Sequence, residues 1–171
     1  MPSLVFALIF FCLCVYAGVK DTISFTIPNW LNLALVVAFV PAAFASQIGW
    51  YTAGTHILAG AIALIAAFGL YAVRMFGGGD AKMIPGIVLW VGPSGALYFV
   101  LGMAFIGGVL SIIVLAARQL FPAAAAPGFA KKILDEKNGI PYGVAIAAGA
   151  MFAAEQSPLL IDFVNMVNGL H

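Results

Sequence analysis

Two aspartates, Asp21 and Asp80, are the residues of this sequence whose type and setting could do chemistry. Each follows a long apolar stretch, each has a lysine (Lys20 or Lys82) within two residues, and each is followed within several residues by an Ile-Pro pair. Two carboxyl groups that face each other do not ionise together easily, so one stays protonated while the other remains an anion. A pair of this kind could serve as acid and base in a hydrolysis reaction.

Hydrolysis of a peptide bond is the reaction that suits this pair. The anion takes a proton from the attacking water, while the protonated partner polarises the carbonyl and later protonates the leaving amine. Because the pair titrates as a unit, neither aspartate receives a fixed acid or base role. The three glycines before Asp80, at 77–79, would let a substrate segment lie alongside in extended form.

The same residues also have a plainer interpretation. Acids at the ends of apolar stretches are often solvated loop charges, and a glycine run before an acid is often only a turn. The chain would then be a small transporter or an assembly subunit whose glycines act as hinges. A transporter generally needs ionisable groups inside its spans, and these spans carry almost none. His56 begins an apolar stretch far from both aspartates, and Glu155 is interpreted as an interface charge.

Composition places the aspartates in a membrane protein. Of 171 residues, 64% are hydrophobic and 8% are charged, whereas about a quarter of a soluble domain is charged. We therefore expect an all-α, polytopic helical bundle that forms a single domain over residues 1–171. The net charge of +1 offers no basic surface for nucleic acid. Cys12 and Cys14 would point to different sides of a helix, and no CxxC pair occurs, so we predict no disulfide, metal or cofactor.

Six apolar stretches predict six transmembrane helices, since a span needs about 20 residues. They are residues 2–19, 30–48, 56–76, 83–92, 95–117 and 141–155. The fourth stretch is short, because about ten residues rise only ~15 Å against a hydrocarbon core of about 30 Å. We expect a short, tilted crossing with Asp80 near its inner end. The proline of each Ile-Pro pair, Pro28 and Pro85, is predicted to start a helix.

The cations predict the orientation of these spans. All seven lysines and arginines fall on alternate connections, which indicates an N-out, C-out topology with both aspartates on the cytoplasmic side. The only sizeable cytoplasmic loop is about 119–140, where residues 131–139 predict a short surface helix that ends at Asn138 and Gly139. After Pro158, the spacing of apolar residues predicts a short helix on the outer membrane surface.

Three sequence elements, taken in order, resemble the prepilin peptidases, the type IV leader peptidase group of GxGD membrane aspartyl proteases. They are Asp21 with the IPNW of residues 27–30, the GGGDAK box of residues 77–82, and the PYGVAIAAG segment of residues 141–149. A GxGD motif alone is short enough to occur by chance. Three elements in the right order on a six-span frame are specific.

The resemblance implies a set of site residues and a substrate. The catalytic residues would be Asp21 and Asp80, supported by Gly77, Gly79, Lys82, Pro141 and Gly143. The substrates would be prepilin-like precursors, cut just ahead of their hydrophobic helix after a short basic leader. The site would face the cytoplasm at the bacterial inner membrane and need no cofactor, and the oligomeric state stays open.

The resemblance is to the short branch of the family. Long, bifunctional members carry an additional N-terminal cytoplasmic segment with paired cysteines, and they also methylate the new N-terminus. No such segment or cysteine pair precedes the first span here. The chain is therefore similar to the peptidase-only enzymes of tight-adherence (Flp) pilus systems, and we expect no methyltransferase activity.

Overall fold

The computed structural model describes residues 2–121, 128–135 and 138–169, and within these ranges the chain is helical without strands. The helices are α1 (Pro2–Ser24), α2 (Asn29–Ala45), α3 (Trp50–Ala72), α4 (Gly78–Leu120), α5 (Gly128–Leu134), α6 (Gly143–Ala153) and α7 (Ile161–Val167), with a 3₁₀ turn at Ala154–Gln156. The all-α prediction is confirmed.

The bundle is apolar on its outside as well as in its core. Phe10, Trp90 and Phe99 are fully buried, whereas Ile65 and Phe105 are about three-quarters exposed, at 75% and 74%. Large side chains of this kind are matched to hydrocarbon rather than to water. The protein is therefore a helical membrane protein.

The described ranges contain three helices that are long and apolar enough to cross a membrane: Ser3–Ser24, Trp50–Ala72 and Gly78–Leu120. A fourth is added if the pair Gly143–Gln156 and Ile161–Val167, which is bent by 95°, counts as one span. Helix α2 is also apolar but shorter, with 17 residues.

Helix α4 is two helical segments that meet at Gly92, whose φ of 70° and ψ of −176° are not helical. Asp80 in the first segment (78–91) and Arg118 in the second segment (93–120) line the same cavity. Near Gly92, by contrast, the Ser94 hydroxyl donates to the carbonyl of Gln156, in the 3₁₀ turn that follows the end of α6. The chain therefore reverses at Gly92, and the two segments run antiparallel.

The reversal at Gly92 is stabilised by a donor from another helix. Pro93 has no N–H, so the carbonyl of Leu89 loses its partner in the helical ladder. The buried His56 supplies that partner, with its Nδ1 2.9 Å from the oxygen of Leu89. A Cβ at Gly92 would overlap the His56 ring, and the positive φ also favours glycine there. His56 thus stabilises the chain reversal at this end of the bundle.

Helix α6 lies antiparallel to α1 and to the second segment of α4. Gly18 of α1 lies against Val144 and Ala147 of α6. On the other side, a Cβ at Gly149 would lie 2.8 Å from the backbone nitrogen of Met103. Small residues let helix backbones approach this closely. The packing brings the end of α1 against the start of α6.

Two predicted helix boundaries change the setting of the aspartates. Helix α1 continues to Ser24 rather than ending at 19, so Asp21 lies in its last turn. Helix α4 begins at Gly78 rather than at 83, so Asp80 lies in its first turn. The prediction that Pro85 starts a helix is wrong because the chain is already helical there, whereas α2 does begin directly after Pro28.

The segments outside the main bundle follow their predictions in part. The helix predicted in the loop of residues 119–140 exists, but α5 ends at Leu134, before the predicted stop at Asn138 and Gly139. Residues 122–127, 136 and 137 lie outside the described ranges. The predicted helix of the tail is present as α7.

Candidate active site

A cavity of about 670 Å³ lies where α1 and α3 end and where α4 and α6 begin, and both predicted aspartates line it. The other lining residues are Phe25, Met75, Phe76, Gly77, Ser111, Arg118, Gly139, Ile140 and Tyr142. Residues that are far apart in sequence thus line the same cavity.

Asp21 lies in the last turn of α1 and is 6% exposed. Its Oδ2 accepts a 2.7 Å hydrogen bond from the backbone N–H of Gly143, the first residue of α6. The first N–H groups of a helix have no partner within the helix, and this end carries positive partial charge. Asp21 therefore caps a helix from another part of the chain. A Cβ at Gly143 would lie 2.7 Å from the Cβ of Asp21, so this approach requires glycine.

Asp80 is the third residue of α4, and its carboxylate accepts a hydrogen bond from the backbone of Gly77, the residue that caps the helix. An acid at this position commonly reaches back to the N-cap in the same way. A Cβ at Gly77 would lie 3.0 Å from Oδ2 of Asp80, and one at Gly79 would lie 3.2 Å from the Cβ of Ile27. Each predicted motif glycine therefore allows a close approach beside Asp80.

The two carboxyl groups share one electrostatic setting. Each lies at the N-terminus of a helix, where the helix dipole favours negative charge. Their negative charges also act on each other across the cavity, and such repulsion disfavours a second anion. The cavity is thus suited to a pair that carries a single charge.

Of the five predicted supporting residues, Gly77 lines this cavity, whereas Gly79, Lys82, Pro141 and Gly143 are not among its lining residues. Lys82 lies two residues beyond Asp80, so its side chain leaves a different side of α4, and its Nζ donates to Oδ1 of Asn29 over 2.9 Å. It lines a second cavity of about 550 Å³ between α2, α3 and α4. Pro141 is buried directly before Tyr142, the N-cap residue of α6. Of the described residues, no group of three or more His, Cys, Asp or Glu is arranged to hold a metal.

Comparison with protein families matches residues 8–112, more than half of the chain, to the type IV leader peptidase family. The matched range includes Asp21 and the whole glycine box with Asp80. The chain belongs to the type IV leader peptidase family. It is thus a peptidase of the prepilin leader peptidase type, which acts on a protein substrate. No curated protein and no solved structure gives a match. The third resembling element, residues 141–149, lies beyond the matched range.

From the sequence, Arg118 of the peptidase is only one of the seven cations that predict the orientation of the spans. In the structure it lines the cavity, and its guanidinium donates to the backbone carbonyls of Ile133, Asn138 and Gly139 at 2.9 to 3.0 Å. It thereby joins the end of α4 to the loop before α6. A single arginine at the end of an apolar stretch carries no sign of such contacts.

Tyr142 of the peptidase was part of the resembling segment but was not singled out. Its ring lines the cavity beside both aspartates, and its hydroxyl lies against Gly107 in the second segment of α4. A Cβ at Gly107 would overlap that hydroxyl. The sequence signal that could have indicated Tyr142 is its place directly before Gly143, a predicted site residue.

Proposed function

We propose that this peptidase removes a short basic leader from prepilin-like precursors at the cytoplasmic face of the bacterial inner membrane, with Asp21 and Asp80 as its catalytic pair. The observation that carries the proposal is that the two aspartates of the family-matched range open onto one cavity. Their helix-capping positions add support, because each carboxylate is oriented by a backbone N–H.

The proposed reaction is general acid and base hydrolysis without a covalent intermediate. The ionised carboxylate accepts a proton from water, whose oxygen attacks the scissile carbonyl while the protonated carboxyl gives its proton to the carbonyl oxygen. The tetrahedral diol then loses one hydroxyl proton to a carboxylate as the C–N bond breaks, and the amine leaves with a proton from the pair. One proton is again shared at the end, so the pair is ready for another cycle.

We also propose six crossings with both termini outside. Support comes from the alternating directions of the helices: α1 and α3 end at the cavity, while α4 and α6 begin there. The second segment of α4 returns to it at Arg118. Cations lie at this end, including Lys20, Arg74 and Lys82, as expected of a cytoplasmic face.

The short first segment of α4 offers a reason for water to reach the pair. Residues 78–91 rise about 21 Å, less than the hydrocarbon core of about 30 Å. A segment of this length whose far end lies at the outer membrane surface would hold Asp80 below the cytoplasmic surface. The cavity then gives hydrolytic water a route to a bond near the start of the substrate's hydrophobic helix.

A cleavage assay in reconstituted vesicles tests the catalytic pair. We expect Asp21→Asn and Asp80→Asn each to lower the cleavage rate of a prepilin-like precursor by at least about a thousandfold, the scale on which a lost catalytic group acts in other hydrolases. Asp162→Asn is the matched control, because Asp162 contacts Ser3 and does not line the cavity.

The outcomes separate the proposal from its alternative. Cleavage at the wild-type rate in either aspartate variant would remove that residue from the mechanism. A folded wild-type protein that cuts no prepilin-like precursor would favour a non-catalytic assembly or transport subunit on the same helical frame.

A further inference from the structure

The backbone of Tyr142 is fixed next to one of the proposed catalytic residues. Tyr142 is the N-cap residue of α6, and the following N–H, that of Gly143, donates to Asp21. The ring lines the same cavity as Asp21 and Asp80. The position of this tyrosine is therefore set by the same hydrogen bond that orients Asp21.

The hydroxyl end of the Tyr142 ring packs into the space that Gly107 of α4 leaves because it has no side chain. Its hydroxyl lies against Gly107, where any Cβ would overlap it. One turn along, the hydroxyl of Ser111 donates to the carbonyl of Gly107, so that carbonyl already has a side-chain donor. Tyr142 as a whole is half-buried, and its hydroxyl makes no hydrogen bond within the described part of the chain.

The other side-chain donors of the cavity are largely occupied. The hydroxyl of Ser111 donates to the carbonyl of Gly107. The Nε and Nη2 groups of Arg118 donate to one carbonyl of α5 and to two carbonyls of the loop that follows it. Tyr142 is a hydroxyl donor of this cavity whose proton is still available. A partly buried tyrosine that lines a cavity, and whose hydroxyl has no partner in the described chain, is suited to bind a group that enters the cavity.

An extended substrate segment brings the matching acceptors. A peptide bond can be attacked only when its segment has left the helix, and its carbonyls then lose their helical donors. At membrane depth such carbonyls need a protein partner or enclosed water. We propose that Tyr142 is a substrate-binding residue of this peptidase, whose hydroxyl donates a hydrogen bond to a backbone carbonyl of the precursor beside the scissile bond. This inference rests on the proposed function.

Removal of the hydroxyl alone tests this role. Tyr142→Phe keeps the ring between α6 and Gly107, and it removes only a group that has no partner in the described chain. We expect kcat/KM for the precursor to fall about tenfold, the scale of one hydrogen bond, while the unfolding temperature stays at the wild-type value. Tyr98→Phe, on the exposed surface of α4, is the matched control and should leave both quantities unchanged.

The possible results are distinct. A Tyr142→Phe enzyme with wild-type kcat and KM overturns the inference, and so does a loss of cleavage that comes with an equal loss of stability, because that indicates a packing role. If Asp21→Asn and Asp80→Asn abolish cleavage while Tyr142→Phe does not change it, only this inference fails. If the aspartate variants still cut, the proposed function itself fails.

Discussion

The two ends of the bundle use free backbone groups in different ways. At the Gly92 end, helix carbonyls that lose their partners are bonded by side chains of the protein: His56 contacts Leu89, and the hydroxyl of Ser157 donates to Trp90 over 2.7 Å. At the cavity end, helix N–H groups are bonded by the carboxylates of Asp21 and Asp80, which also open onto a cavity. The backbone groups at the Gly92 end are bonded within the protein, so this end supports the fold. The carboxylates at the other end also face a cavity, so that end can bind a substrate.

Among the variants that compare the two ends, Gly143→Ala should have the largest effect, because it disturbs the cavity end directly. The added Cβ would lie 2.7 Å from the Cβ of Asp21 and would push that residue off the start of α6. We expect kcat/KM for precursor cleavage to fall about a hundredfold, because a displacement of a catalytic group by about 1 Å can slow a reaction by that factor. The matched control is Gly108→Ala, where a Cβ would meet nothing within 4 Å. Equal activity in both variants would show that the close Asp21–Gly143 contact is not needed.

His56→Leu should affect the Gly92 end, and it should act on stability rather than on chemistry. It leaves the buried carbonyl of Leu89 without its donor, which should lower the free energy of unfolding by about 1–3 kcal/mol. His56→Asn can retain a donor near the Nδ1 position and should recover part of the loss. Denaturant unfolding in detergent measures both, and activity per folded molecule should stay at the wild-type level. A specific loss of kcat would contradict the division between the two ends.

Arg118→Met tests how much the loop before α6 contributes to the cavity. The variant keeps an unbranched side chain but removes the donors to Ile133, Asn138 and Gly139. We expect kcat/KM to fall about fivefold, the scale of about 1 kcal/mol of lost hydrogen bonding. Lys132→Met removes a cation from the same loop and should leave the rate unchanged. Equal losses in both variants would indicate a general charge effect instead.

Arg74→Gly should have the smallest effect and should sharpen the comparison by stabilising the cavity end. Arg74 has a φ of 62° just after α3, a conformation that costs a non-glycine residue about 1 kcal/mol. We expect glycine to raise the free energy of unfolding by up to that amount, and Arg74→Ala to give no gain. Thermal unfolding measures the difference. A gain with alanine would point to the arginine charge rather than to the backbone.

Much of the site could be predicted because its parts are local in sequence. The glycines before Asp80 and the acid itself form the start of one helix. Their spacing in the sequence therefore determines how close they lie in the structure. Asp21 could be singled out as a candidate because it is a rare acid at the end of an apolar stretch. The helical fold followed from composition, since apolar stretches of span length form helices in a bilayer.

The parts that escaped prediction depend on how distant helices meet. Tyr142 and Arg118 reach the cavity only because α6 and the second segment of α4 pack antiparallel. Lys82 follows Asp80 closely in sequence, yet its side chain lies on another side of the same helix. The role of His56 depends on the missing N–H of Pro93, a partner that no local pattern connects to it.

The bond between Asp21 and Gly143 joins the first long helix of the chain to α6. During synthesis, α1 to α6 must therefore all be made before Asp21 can accept its hydrogen bond from Gly143. A nascent chain that still lacks α6 exposes Asp21 without its anchoring donor. The proposed catalytic pair therefore has its complete set of backbone donors only after α6 has packed against α1.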